Sequence, residues 1–275
     1  MAEFSPMQMP NLRYELYERL KFDRPHPAVL RITIASGLKL NAMDKRTHHE
    51  VSEIWRDVEN DPTVSCAIIT GEGGSFSAGG DLNEEIHLLG DSGALSQTMS
   101  EARNMVYGII ECSKPIVSAV HGWAVGGGLV CALLADISVV AKNARISDGH
   151  TKIGAVAGDH AAIIWPLLCG MAKAKYYMLL CEPLTGEQAD QLGLVSLAVD
   201  EHLVTDKAVE IAIRLAEGAP RAVRGTKYVL NHWLRQAAPI FDTSLALEFM
   251  GLMGPEAREG FEAFLQKRKP KFPSL

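Results

Sequence analysis

Three consecutive glycines, Gly126-Gly127-Gly128, constrain this chain more than any other feature. They follow an apolar run, 116–120, and precede LVCALLA at 129–135, a small and apolar segment that reads as a buried helix. Strand, glycine turn and helix are therefore expected here. Glycine has no Cβ to keep a ligand away from the backbone, and the N–H groups of a first helical turn have no intrahelical partner. Such a turn can aim N–H donors at a negative or polarised oxygen. Phosphate cradles of the GxxxxGK[ST] and GxGxxG kinds do not fit, because no Lys or Ser/Thr follows Gly128 at the required place. Paired backbone donors also build oxyanion holes, which stabilise charge developing on a carbonyl oxygen. An oxyanion hole takes two donors, so a second glycine-rich turn is expected.

It lies upstream, in GEGGSFSAGGDL at 71–82, after the apolar run CAIIT at 66–70 and before a helix expected from Asn83 to Leu89. The two halves repeat one plan of strand, small-residue turn and helix. SFSAGGDL at 75–82, HGWAVGGG at 121–128, LLADISVVA at 133–141 and LTGEQADQLGLVSLAV at 184–199 follow one another in order. In this order and spacing the chain resembles the enoyl-CoA hydratase/isomerase (crotonase) superfamily over nearly its whole length. The resemblance implies an α/β fold: a crotonase (ClpP-like) spiral of repeated β-β-α units with two sheets and a C-terminal α-helical trimerisation region. Residues 1–200 would form the spiral core with the acyl-CoA site, and 201–275 the helical oligomerisation region of a homotrimer or a hexamer. It also implies that the N–H groups of Gly80 and Gly127 form the oxyanion hole. Leu40, Ala42, Ala78, Gly79, Asp81, Leu82 and Val130 would border the acyl and coenzyme A groups.

Composition narrows the alternatives. At 275 residues and 47% hydrophobic, the chain can bury a substantial core, and its formal charge of −6 with scattered Lys and Arg gives no footprint for nucleic acid. Residues 1–11 lack the charged and apolar regions of a signal peptide, and no run approaches a membrane span, so a soluble, cytoplasmic protein is expected. Five irregularly spaced cysteines, among them Cys66, Cys131 and Cys169 in apolar segments, read as reduced core residues. No metal cluster is expected; the adjacent His48 and His49 read as a solvated pair. No tightly bound cofactor is implied, with coenzyme A entering as part of the substrate.

Local signals place the remaining elements. A hairpin is expected over 14–22 and 28–34, turning at 23–27, and a helix capped by Asp44 through Val58. Gly90 to Gly93 reads as a flexible link to a helix over 102–110. Helices are further expected over 161–168 and 172–181, from a capping box at Thr185 and Gln188, and over 204–218, 222–238 and 241–253, with a strand over 194–199. The terminal stretch 261–272 resembles the family's F-x-x-K-R-x-P-x-F ending. Its basic groups, like Arg31, Lys39 and Lys45, are open to two readings: contact with the coenzyme A phosphates, or plain solvation.

Proton transfer is where the chain departs from the family's hydratases, which use two glutamates. The first of those positions is Val130 here and the second is His150. Val130 exchanges no proton, whereas an imidazole serves as base or acid near neutral pH, so His150 is the leading catalytic candidate. Asp159 either works with His150 or caps the following helix. Asp148 and His160 read as structural. Glu84 and Glu85 read as complements to a helix dipole rather than as an acid–base pair. The segment with His150, Asp159 and Trp165-Pro166 also resembles the β-diketone C–C hydrolases of the superfamily, in which a C-terminal carboxylate takes part. Glu248 is placed to supply it. Hydration or isomerisation of an enoyl-CoA is the leading expectation, C–C or thioester hydrolysis the second, and a non-catalytic acyl-CoA binding subunit the third.

Overall fold

The computed structural model describes residues 14–274; the stretch read for signal peptides, 1–11, lies outside the described residues. The hairpin forms from β1 (Leu20–His26) and β2 (Val29–Ile34), turning at Pro27 and Ala28. Its first arm begins later than expected. Tyr14–Leu16 is a 3-10 turn whose Tyr14 hydroxyl donates to Asp61 at 3.1 Å, and Arg24 of β1 pairs with the same carboxylate at 2.9 Å. Helix α1 (Lys45–Asn60) starts at Asp44, whose Oδ1 accepts from the Thr47 N–H at 2.7 Å.

After α1 the chain runs through β3 (Cys66–Gly71), α2 (Leu82–Glu85), α3 (Ser92–Glu111), β4 (Ile116–Val120), β5 (Trp123–Val125) and α4 (Gly127–Leu133). Next come β6 (Ile137–Ala141), β7 (Arg145–Ser147), α5 (Ala161–Leu180), β8 (Leu184–Thr185), α6 (Gly186–Gln191) and β9 (Leu197–Val199). Five helices close the chain: α7 (Val204–Ala216), α8 (Pro220–Leu230), α9 (His232–Gln236), α10 (Ala238–Leu252) and α11 (Pro255–Leu265).

One sheet has the order β1-β2-β3-β4-β6-β9, parallel from β2 onward; a smaller sheet has the order β5-β7-β8. Every residue of β3 and β4 is buried, as central parallel strands covered on both faces require. A β-β-α unit recurs. In β4-β5-α4 and β6-β7-α5 the chain passes from the large sheet to the small one and then into a helix. In the first glycine turn a single bridge from Ser77 to Ala124 takes the place of the small-sheet strand.

One expected boundary moves for an identifiable reason. Gly90 to Gly93 is no loop: Asp91 Oδ1 accepts from the N–H groups of Gly93 and Ala94 at 3.0 Å each, so α3 starts ten residues earlier than expected. Helix α5 is interrupted at Gly170, whose φ of 77° is outside helical range, so the two helices expected over 161–168 and 172–181 lie on either side of a kink. The capping box at Thr185 and Gln188 forms as expected. All five cysteines are free, with Cys169 half-buried and the others buried. Among the described residues no helix is long and apolar enough to cross a membrane.

The two glycine turns are pressed together at Gly128, where a Cβ would lie 2.8 Å from Ser77 Cβ and 2.9 Å from Ser77 O. Gly128→Ala is expected to lower unfolding stability by about 1–3 kcal/mol, the usual range for overpacking a filled site. Urea denaturation of the variant against the native chain measures it.

Candidate active site

The approach of the two turns creates the site. Gly79 has a φ of 79°, and a Cβ on it would lie 2.7 Å from Val125 O and 3.5 Å from Gly127 N. The Met43 N–H donates to Gly79 O at 2.7 Å, and the Asp81 N–H donates to Met43 O at 3.0 Å. In such a parallel bridge the residue between, Gly80, turns its own N–H to the other side, which is the cavity. Gly127 opens α4, so its N–H has no intrahelical acceptor. Gly80 and Gly127 thus present two unspent donors to one cavity, from two turns packed against each other.

That cavity is about 800 Å³, with a polar floor that includes His150, Asp159 and Glu248 and apolar walls from Leu88, Leu95, Met105, Phe249 and Phe261. Leu40, Ala42, Ala78, Gly79, Asp81, Leu82 and Val130 line it as well. Leu40 and Asn41 both hold left-handed backbone angles, φ 57° and 51°, which lets Leu40 O accept the Ala78 N–H at 2.9 Å. Among the basic candidates, Lys39 lines the cavity, whereas Arg31 is paired with Asp23 and Arg268 with Glu259.

His150 lies in the turn after β7, held at its Nδ1 by Asp148 Oδ1 at 3.0 Å. Its Nε2 is 3.6 Å from Glu248 Oε1 and 4.0 Å from Asp159 Oδ2. All three carboxylates reach it from different segments. Glu248 gets there because α10 docks on the turn at Gly158: Ser244 Oγ donates to Gly158 O at 2.8 Å, and a Cβ on Gly158 would lie 2.6 Å from Glu248 Cβ. Asp159 touches both the start of α5 and His150. Its Oδ1 accepts from His160 N at 2.6 Å and His160 Nδ1 at 2.8 Å at the start of α5, while its Oδ2 faces His150. Asp148, expected only to shape its own turn, orients the His150 ring.

The charges are strongly coupled. Burial alone lowers the proton affinity of His150, but the carboxylates of Asp148, Asp159 and Glu248 outweigh it and hold the imidazole pKa well above its ordinary value. Burial opposes the ionised form of Asp159, yet His160 and His150 hold its carboxyl well below the usual range. Glu248 goes the other way, raised chiefly by burial. One inner oxygen on each of Asp148, Asp159 and Glu248 has no hydrogen-bond partner among the described residues. Asp148, His150 and Asp159 offer ligand atoms within 4.8 Å of one another, a spacing that would admit a cation as well as a shared proton.

The structure brings in a carboxylate that was read as a dipole complement. Helix α2 has only four residues, and its two glutamates diverge: Glu84 Oε2 accepts the Lys45 N–H at 2.9 Å, while Glu85 lines the cavity. Burial pushes the Glu85 carboxyl up to about 7, with Glu248 and Asp81 adding to the rise and His48 and His150 opposing it. His48 and His49 are not a solvated pair. Both turn their Nδ1 to Glu101 of α3, at 3.0 and 3.1 Å.

The family model for enoyl-CoA hydratase/isomerase matches residues 25–274. The chain is 31% identical to 1,2-epoxyphenylacetyl-CoA isomerase of Escherichia coli over 250 residues, covering 89% of this chain and 94% of that protein. Its fold matches the crystal structure of an enoyl-CoA hydratase/isomerase from Mycobacterium paratuberculosis with a TM-score of 0.84 at 31% identity, covering 93% and 99% of the two chains. A β-diketone hydrolase from Anabaena, bound to (S)-3-oxocyclohexyl acetic acid, matches with a TM-score of 0.81 at 26% identity over 90% of this chain and 98% of its own. The chain belongs to the enoyl-CoA hydratase/isomerase family.

The raised Glu85 pKa has a signed consequence for stability. Because the folded state binds this proton more tightly than the unfolded chain, stability falls as pH rises from 4.5 to about 7, and the deficit is complete above that. Glu85→Gln is expected to raise the melting temperature at pH 8 by about 2–4 °C, the shift for about 1 kcal/mol in a protein of this size, and to leave it unchanged at pH 4. Calorimetric scans at both pH values check this.

Proposed function

We propose that the protein acts on an acyl-CoA thioester through an enolate, as a hydratase or isomerase of the kind used in fatty-acid and related acyl-CoA breakdown. The observation that carries this is the pair of free donors on Gly80 and Gly127 opening onto the same cavity as His150. An oxyanion held by two preorganised N–H groups lowers the cost of removing the α-proton of a thioester. The ionised Asp159 accepts the α-proton, and the His150 imidazolium beside it gives a proton back to the enolate. Val130 contributes apolar wall where the family's hydratases are expected to have a glutamate. Lys39, at the cavity, is assigned to the coenzyme A portion. No resident cofactor enters this scheme.

A second reading is C–C or thioester hydrolysis. It is favoured by the grouping of His150, Asp159 and Glu248 without a carboxylate at Val130. The structural match to the Anabaena diketone hydrolase points the same way.

Mass-resolved product analysis with crotonyl-CoA, longer and cyclic enoyl-CoAs and a cyclic β-diketone separates these. The native protein is expected to convert a thioester, and His150→Gln to slow that conversion at least about 100-fold, the lower end for losing a general acid–base group. Water added to intact thioester marks a hydratase, and an unchanged mass with a moved double bond marks an isomerase. Opening of the diketone ring selects the hydrolase. Tight coenzyme A binding with every substrate intact selects a non-catalytic binding subunit.

The chain is also proposed to assemble as a trimer or a pair of trimers through its helices. Leu167, Met171 and Leu179 of α5, Val229 of α8 and Trp233 of α9 all leave large apolar surface exposed. Sedimentation equilibrium is expected to show three or six chains per particle; a monomer at micromolar concentration contradicts it.

A further inference from the structure

Two proton-bearing side chains bracket the oxyanion donors. On one side, His150 Cε1 lies 4.0 Å from where a Cβ on Gly126 would stand, next to the Gly127 donor. On the other, the carboxyl of Glu85 lies over Gly80, its Oε1 only 1.8 Å from where a Cβ on Gly80 would stand. A side chain at 80 would displace the Glu85 carboxyl. Among the described residues the Glu85 carboxyl makes no hydrogen bond, while its neighbour Glu84 is engaged by Lys45. The dipole complement is supplied by Asp81, which accepts the Asn83 N–H at 3.1 Å, so Glu85 has no structural work to do at this helix end.

We propose that Glu85 is a second proton-transfer group of this site, giving its proton to the enolate held by Gly80 and Gly127. The proposal rests on the enolate reading above. In the step, the O–H bond of Glu85 breaks and its proton forms a C–H bond with the electron pair of the enolate carbon. The charge on the enolate oxygen returns to the thioester carbonyl, and Glu85 is left as carboxylate until it takes a proton from water while the group that removed the first proton releases one. A pKa of about 7 leaves a useful fraction of the neutral acid at neutral pH. The charged groups acting on it are His48 of α1, Asp81 at the start of α2, His150 and Glu248 of α10. With Asp159 ionised to take a proton from one carbon and Glu85 protonated to give one to another, the double bond can move without water being consumed. That arrangement makes a shift of the double bond along the acyl chain the reaction to look for.

The test follows deuterium from D2O into the α-carbon of butyryl-CoA, and the conversion of 3-butenoyl-CoA to crotonyl-CoA, by mass spectrometry and absorbance. The native protein is expected to do both. Glu85→Gln is expected to slow both at least about 100-fold, acting on kcat with KM little changed, and to remove the limb of the pH profile near 7. Glu85→Asp is expected to restore part of the rate. Calorimetric titration of coenzyme A should give the same affinity for all three proteins, showing the cavity intact. Native exchange with Glu85→Gln at the native rate and pH profile overturns the role of Glu85 and leaves the enolate reading standing. No exchange and no turnover by the native protein overturns the enolate reading, and this one with it.

Discussion

The contact between Ser77 and Gly128 governs the rest of the molecule. Ser77 N donates to Trp123 O and Val125 N donates to Ser77 O, each at 3.0 Å, so the first glycine turn is stitched to the strand that leads into the second. Without a side chain at 128 the turns close until the donors of Gly80 and Gly127 face one volume. Neither turn makes a site alone. The large sheet sets the separation of β3 and β4, and the parallel register Ala67 with Ile116 through Thr70 with Ala119 keeps both turns at the same sheet end. Ligand chemistry at the carboxyl ends of parallel strands follows from this geometry, because the N–H groups of the following turns and helices point there.

Charge is the second constraint. Three carboxylates around one imidazole are costly to bury unless protons are shared, since an isolated ion in a low-dielectric interior loses far more hydration than one neighbour returns. The arrangement resolves this unequally. Asp159 stays ionised against two histidines, His150 keeps its proton, and Glu248 shifts toward its neutral form. The group as a whole titrates as a unit, and its members hold protons at different affinities within a few ångströms. Such a spread is what proton transfer near neutral pH needs.

Much of the spiral was legible because it rests on local chemistry. The glycine turns announce themselves by composition, Asp44 and Thr185 by their capping side chains, and β3 by an unbroken apolar run. His150 was legible through its place in the motif series. What stayed hidden depends on contacts between distant segments. Gly90 to Gly93 looks like a linker until Asp91 is seen to cap α3. Glu84 and Glu85 are chemically alike, and only the four-residue length of α2 and the Lys45 N–H decide which one faces inward. His48 and His49 were expected to diverge, yet one carboxylate from α3 gathers both. Glu248 was legible only through the resemblance to the diketone hydrolases, and its burial beside His150 depends on α10 docking against Gly158.

The division of labour between the two kinds of residue has a physical basis. Backbone donors at Gly80 and Gly127 need only the turns, and those are held by hydrogen bonds and close packing that tolerate no side chain. The proton-handling groups arrive from elsewhere: His150 from the turn after β7, Asp159 from the start of α5, Glu85 from α2 and Glu248 from α10. A Cβ at 79 or 128 would collide with backbone, whereas these four groups come from segments outside the two turns. A backbone frame packed this closely, with titratable side chains brought to it by separate segments, is one on which the side-chain chemistry can vary while the fold stays fixed. It also explains why the helices beyond β9 matter to chemistry: α10 reaches the site only because Gly158 lets it lie against the turn, and through that contact packing of the chain's end sets the charge on His150.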